Sequence, residues 1–464
     1  MRLVRRGFVL FVCSLSSVLT ATPALAQNWS FDARNVGLGG VGSTSNIAFD
    51  MVDEQRPYRP IVLPFGLLQI LPNLPKLDPT SDEFDLVRSI EYAASPIHYI
   101  VGRDSTNSAS AFVTDLRNGT LNRDLNAYRG FSPATSVTAE GLASPNWGGT
   151  IKFKKEASGA FQGIYIGAGP YFSIKTAAEI DPALAAIFAS PTPVYVPNTS
   201  FFMSDDTESQ FALAITGGYR ARFALPSGWG GAGTGGLYGA PEGIYIGANF
   251  HYLHGYNYEH FEPDARLDTN AQGLLFVNPA KGLPITISRN TSSNGQGFAI
   301  DTGIAAVINK WELGLGVNGI ANRIDWTGVE RTTYALNNLF TGGEFVDGPT
   351  VGVADTRVEL PVDVQTHAAY NAGPWMAIGE VGHGYNGTTV RGGYEQRFRR
   401  AQLRGGARYV KERWEPTGGV GYDFSPRFGL DVGFFSTSAN LERERHLGIA
   451  VSLRFMHNSS GNAN

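Results

Sequence analysis

Cysteine is nearly missing from this chain: its single copy, Cys13, sits in the apolar N-terminal stretch. A disulfide framework, a thiolate metal site and a thiol nucleophile are therefore excluded beyond that stretch. Charge is scarce as well, at 17% of residues. Past residue 26 no apolar run approaches the ~20 residues of a membrane-spanning helix. No Gly-x-Ser-x-Gly, His-Glu-x-x-His or phosphate-loop string occurs, so the usual marks of a serine hydrolase, a zinc peptidase or a nucleotide-binding enzyme are absent.

The first residues read as a secretory leader. Arg2, Arg5 and Arg6 precede an apolar stretch over 7–19, and Ala24, Leu25 and Ala26 form a small-x-small cleavage pattern before Gln27. Removing 1–26 takes away three of the 37 basic residues and none of the 41 acidic ones, leaving a net charge of −7. That balance argues against nucleic acid as a partner. What the chain does have is 57 glycines, 28 phenylalanines and 19 tyrosines. Such a composition suits a sheet with lipid on one face and water on the other.

The last strand is the clearest. Leu447, Ile449, Val451, Leu453 and Phe455 alternate with Gly448, Ala450, Ser452 and Arg454, the period-two pattern of a strand long enough to cross hydrocarbon. The same alternation recurs upstream, including a strand from Trp311 to about Thr333. The string Gly-Ile-Tyr-Ile-Gly-Ala occurs twice, at 163–168 and 243–248. Short connections at 425–426, 399–400, 372–373, 309–310 and 157–160 fall on one side, and long ones at 176–206, 260–295 and 334–355 on the other. A glycine-rich stretch at 224–241 is long for its side. This predicts an all-β, transmembrane antiparallel barrel over 131–456 with about fourteen strands and short inner turns. Segments 132–142 and 96–101 are the candidates for the fourteenth strand. Residues 27–130 read as an N-terminal plug or small periplasmic segment, with a helical stripe at Phe84, Val87, Ile90 and Tyr92, and 457–464 as a polar tail.

Residues 32–42 (Asp-Ala-Arg-Asn-Val-Gly-Leu-Gly-Gly-Val-Gly) resemble the start of the mature FadL/TodX family of outer-membrane transporters for hydrophobic compounds, in the broad sense that includes TraF-like barrels. The resemblance implies a hatch inside a fourteen-stranded barrel, with Arg34, Gly37, Gly39, Gly40 and Gly42 as its motif. The chain departs from the family in lacking an Asn-Pro-Ala-Gly string nearby and in carrying nine residues after Phe455. Glycines at those spacings let backbone lie close to backbone, and Arg34 could pair with a lumen carboxylate.

Strand parity sends Asp363, His367, Arg391, Glu395, Arg397, Arg404, Arg408, Asp423, Asp431 and Arg454 inward. They form either an ion-pair ladder that fills the interior or a site for a head group. His251, His254 and His260 cannot be aimed at one ion from a single strand, so no metal and no cofactor is expected. Tyr252, Tyr256, Tyr258 and Phe261 read as an outer aromatic girdle. The apolar segment 181–203, with Phe188, Phe201 and Phe202, is expected either to gather hydrophobic solute or to pack as a lid. The expected function is passive transport of small hydrophobic molecules across the outer membrane of a Gram-negative cell, with lipid around the barrel. The alternative is a barrel that serves as a scaffold or as part of secretion or conjugation machinery. A hydrolase is the least favoured reading.

Overall fold

The computed structural model describes residues 32–42, 46–63, 65–73, 98–101, 108–133, 135–144, 146–156, 159–231, 234–343, 345–384, 387–410, 413–437 and 446–456. The leader, the helical stripe at 84–92 and the tail fall outside them. Alternation of large apolar and small or polar residues produces one large antiparallel sheet.

Its early strands are β1 (Tyr58–Leu63), β2 (Tyr99–Val101), β3 (Ser136–Ala143), β4 (Trp147–Lys155), β5 (Phe161–Ile180), β6 (Ser200–Phe223) and β7 (Gly243–Thr269). β8 (Ile285–Ser292) and β9 (Asn294–Ile308) follow one another along β7. β10 (Trp311–Thr327) and β11 (Glu330–Leu336) do the same along β9 and β8. β12 (Val346–Gly352) and β13 (Thr356–Glu359) pair with β11 and β10. The wall then continues through β14 (Asp363–Asn371), β15 (Trp375–Gly384), β16 (Gly387–Phe398), β17 (Ala401–Val410), β18 (Arg413–Ser425), β19 (Phe428–Thr437) and β20 (His446–Met456), each bonded to the next.

β3 and β4 pair with the two halves of β5 and so share one wall position. β1 and β2 likewise share a position along β20, where Leu63 pairs with Val451 and Tyr99 with Ile449. Segments 58–63 and 99–101 thus belong to the wall, which differs from a barrel beginning at residue 131. Both candidate upstream strands form, each as half of a position. Between β1/β2 and β3/β4 there is no backbone ladder among the described residues.

The outward face is apolar for its full circuit. Ile166, Ile215, Phe250, Leu313, Val364, Val381, Leu403, Val420 and Leu447 are all exposed. A continuous belt of this kind far exceeds the patches a soluble monomer shows, and a lipid-facing barrel requires it. At the short-turn end, rings touch in series. Trp311, Tyr370, Trp375 and Tyr394 form one run and Tyr422, Phe424, Phe428 and Phe455 another, an interfacial girdle. At the other end the expected girdle is only half right. Tyr252 and Tyr256 are exposed, but Tyr258 and Phe261 are buried. The register slips at Phe211/Ala212, where β6 meets β7, and Tyr258 stacks on the buried Trp326 at 5.5 Å.

The strands of the outer end outrun the membrane. At about 3.3 Å per residue the 27 residues of β7 extend well beyond ~30 Å of hydrocarbon. The expected long loop at 260–295 is therefore mostly strand, and those at 176–206 and 334–355 carry strand at their ends.

Inside this extension sits an apolar core. Two hatch helices, α1 (Ala33–Gly37) and α2 (Ile47–Asp53), lie at the inner end, whereas α3 (Ser108–Asn118) and α4 (Pro182–Ala189) lie in the outer core. Asp181 caps α4 by accepting the Ala183 N–H, with proline at the first turn. Phe188 meets Phe112 and Phe131 at 4.9 Å each. Tyr128 donates to Asp115 at 2.7 Å, and burial, then that carboxylate, push its phenol above the usual range.

The belt makes a depth-dependent prediction. Val420→Arg should destabilise the barrel by about 2–4 kcal/mol, and Phe424→Arg at the girdle by about 0–1 kcal/mol, in reversible denaturant unfolding from lipid vesicles. Equal costs at both positions would contradict a membrane-embedded wall.

Candidate functional site

The inner mouth is filled by the chain's own N-terminal segment. Asp32 caps α1, accepting the Arg34 N–H at 3.1 Å, and receives the Ser452 hydroxyl of β20 at 2.7 Å. Asn46 caps α2 by accepting the Phe49 N–H. Every residue of α1 is buried, against β17 to β20, and α2 buries Ile47, Ala48, Phe49, Met51 and Val52 against β7, β9 and β10.

The glycine motif permits this approach. Gly39 has φ +86°, and a Cβ there would lie 2.6 Å from the carbonyl oxygens of both Ala407 and Gly392. Its N–H donates to Thr417 Oγ1 at 2.9 Å. Only glycine fits such a site without strain. Gly37 lies against Gly418 and Gly419, Gly40 faces Arg408, and the Gly42 N–H donates to Glu380 at 3.2 Å.

Charge fixes the segment in place. Glu395 of β16 accepts two hydrogen bonds from Arg34, 3.1 and 3.2 Å long. It also meets Arg404 at 2.7 Å and Arg397 at 2.8 Å. Arg404 reaches Asp431, Arg454 bridges Asp431 and Asp423, and Arg391 pairs with Glu380 at 2.8 Å. Arg408 pairs with Glu415. A second hatch cation, Arg56, holds Asp53 and Glu312 at 2.6 Å each. His367 lies 3.3 Å from Glu312 and edge-on to Phe49. Asp363 accepts from Gln365 at 2.6 Å and is not joined to His367. Bidentate, desolvated pairs of this kind are strong but require complete partnering.

The sequence-selected residues thus gather around the hatch, rather than facing one another across open water. The outer phenylalanines separate: Phe188 and Phe201 are wholly buried in the outer core, while Phe202 is exposed. Phe188 and Phe201 offer no open funnel.

Several contributors escape a reading of the sequence. Glu312 and Glu380 are wall anchors, and Tyr238, from the glycine-rich inner connection, lies with its ring centre 3.2 Å from the Arg34 guanidinium carbon. Glu312 sits between outward Trp311 and Leu313, so parity alone would have turned it inward. A polar row also crosses the interior. Asn146 donates to Thr216 (2.7 Å), Thr216 meets His251 Nδ1 (2.8 Å), His251 Nε2 meets Asp301 (2.7 Å), and the Gly319 N–H donates to Asp301 (2.8 Å). Thr216 is 1% exposed, which makes this row a brace between strands rather than a nucleophile.

Glu395→Ala should strand three guanidinium groups and cost about 3–5 kcal/mol of unfolding free energy. Gly39→Ala alters no charge and should instead loosen the hatch, seen as faster proteolysis near residues 32–56 with the barrel still folded. A hatch equally protected in both variants would contradict this assignment.

No family model matches the chain, and no curated protein sequence does. Among solved structures it is similar to the toluene transporter TbuX of Ralstonia pickettii, with 10% identity over 69% of this chain and 87% of that one and a TM-score of 0.31. It is similar to the toluene transporter TodX of Pseudomonas putida at 12% identity over 67% and 96%, with a TM-score of 0.28. A variant of the Rh. blastica porin is similar at 8% identity over 53% and 91%, with a TM-score of 0.20. Superpositions this loose leave the hatch and wall geometry as the basis for function.

Proposed function

We propose that the chain, exported and freed of residues 1–26, is an outer-membrane channel that passes small hydrophobic molecules, with residues 32–56 as its movable hatch. One observation carries this reading: the hatch is joined to the wall by ion pairs, hydrogen bonds, glycine contacts and three separate small apolar clusters. The outer segments, by contrast, are fused to their strands by a continuous apolar core. Polar contacts can be exchanged for water at little net cost, so the hatch is the segment suited to leaving its seat.

The seam between β1/β2 and β3/β4, where no ladder joins the described residues, supports a sideways exit. Glu54, at the end of α2, accepts from the Thr150 N–H and hydroxyl at 3.1 and 2.9 Å, and Gln55 accepts from Lys152 at 2.7 Å. These side chains bridge the hatch to β4, whose Trp147, Ile151 and Phe153 are the wall's most exposed apolar group. Displacing the hatch would release the mouth and this seam together.

A reversible tether tests the reading. A Cβ at Gly37 would lie 3.2 Å from the Gly419 Cα, and one at Gly419 would lie 3.4 Å from the Gly37 Cα, near enough for a disulfide. Past residue 26 the chain has no cysteine of its own. With Gly37→Cys and Gly419→Cys combined, uptake of a radiolabelled aromatic hydrocarbon by cells bearing the protein should fall to background on oxidation and return on reduction. Uptake that ignores the redox state would refute hatch movement. Uptake no greater than in cells without the protein would refute transport and leave the scaffold reading.

A further inference from the structure

The connection between β6 and β7 does more than turn the chain. Residues 234–241 re-enter the inner mouth and pack beneath the hatch, while 226–231 stay outside with Trp229 exposed. Leu237 and Tyr238 are buried with Phe49 and Tyr58 in one cluster. The segment touches both hatch cations. Tyr238 covers Arg34, and its hydroxyl meets Asn35 at 3.4 Å. The Leu237 N–H donates at 2.9 Å to one oxygen of Glu312, whose other oxygen holds Arg56.

This placement is won against backbone preference. Tyr238 adopts φ +60°, ψ 21°, a left-handed conformation that bulky residues avoid. Gly236 has φ +56°, and a Cβ there would meet the Glu312 side chain at 2.6 Å. Strained residues persist where surrounding contacts over-determine them, and they cluster at switches. Here the buried rings and the hydrogen bonds to the hatch and its anchor hold the strain.

We infer that residues 234–241 are a latch: seated, they pin Arg34 and Arg56, and they must withdraw before the hatch can move. The inference rests on the hatch reading above and adds its order of release. The exposed stretch 226–231 is the handle through which the latch is reached from the periplasmic side.

Hydrogen exchange on the full-length protein in lipid nanodiscs tests it, in parallel with hydrocarbon uptake by cells. Tyr238→Ala should speed exchange of the backbone amides of 33–38 and 47–53 at least tenfold, with wall strands unchanged. Tyr238→Phe keeps the ring over Arg34 and should stay within threefold of the parent. Gly236→Ala strains the seated latch without deleting a contact, and should act like Tyr238→Ala. Hatch exchange unchanged in both Tyr238→Ala and Gly236→Ala overturns the latch. Faster exchange without any change in uptake would keep the latch and sink the hatch as the gate to transport, so the two failures are separable. If Tyr238→Ala does not assemble, Gly236→Ala decides alone.

Discussion

A carboxylate with no exposure to solvent, Glu395, is the constraint from which the inner half of the molecule follows. Removing such a group from water costs several kcal/mol unless opposite charge and hydrogen bonds replace its hydration. Two of its partners, Arg397 and Arg404, come from the wall, and the third, Arg34, comes from a residue more than 360 positions away in sequence. The surplus positive charge on the wall is met in turn by Asp431 and Asp423. Barrel and hatch are therefore electrostatically one unit. The strands supply a site that is complete only when α1 is seated, and α1 is too short to be stable alone. Gly39 contributes the other half of the condition, since a Cβ there would press on two wall carbonyls and keep Arg34 from its seat.

The two ends of the barrel are closed by different physics, and that difference carries functional weight. At the outer end, Phe112, Leu116, Phe188, Phe201, Phe261 and Leu336 share one core. Each such side chain contributes about 1.5–3 kcal/mol on burial, and separating the segments would expose it all together. At the inner end the apolar contacts are divided among three separate clusters, which take in Leu38, Ile47 and Val36, and directional hydrogen bonds and ion pairs stand between them. When one of these opens, water takes the vacated donor or acceptor and restores most of the energy. In the hatch reading proposed above, the outer cap is the fixed part and the inner stopper the exchangeable one.

Much of this is legible in the sequence. Period-two alternation places the wall strands, the short turns fall where expected, and parity turns the charged residues inward. The glycine motif marks the segment that packs against the wall. What resists reading shares a cause: dependence on partners far away in sequence. Tyr258 is buried beside a register shift, where a slip of one turns a side chain to the opposite face, whereas Phe261 keeps the inward parity of His251 and Leu253 and is covered by the outer core. β1 and β2 are too short to stand out, and become strands only because β20 offers them an edge to pair with. Tyr238 lies in a glycine-rich connection with no periodicity, and its burial depends on a pocket formed by the hatch itself. Phe188 and Phe201 are conspicuous as apolar residues, but composition cannot tell a packed cap from an open funnel.

A hydrophobic solute meets a difficulty in this interior, because the inner mouth is lined with paired charges. Passing it would mean crossing the most polar stretch of the molecule, whereas each Å² of apolar surface that instead reaches hydrocarbon gains about 25 cal/mol. Among the described residues no ladder joins β1/β2 to β3/β4, and β1 and β2 meet at Val451 and Ile449, near the middle of β20. The facing edge, β4, is joined to the hatch through Glu54 and Gln55. Passage sideways at that depth would need no ion pair of the mouth to be crossed by the solute, and the Glu54 and Gln55 side chains that hold β4 would travel with α2. In the transport reading proposed above, the ionic lining would not touch the cargo: it would hold the hatch seated, and with it the seam, until the segment moves as a whole.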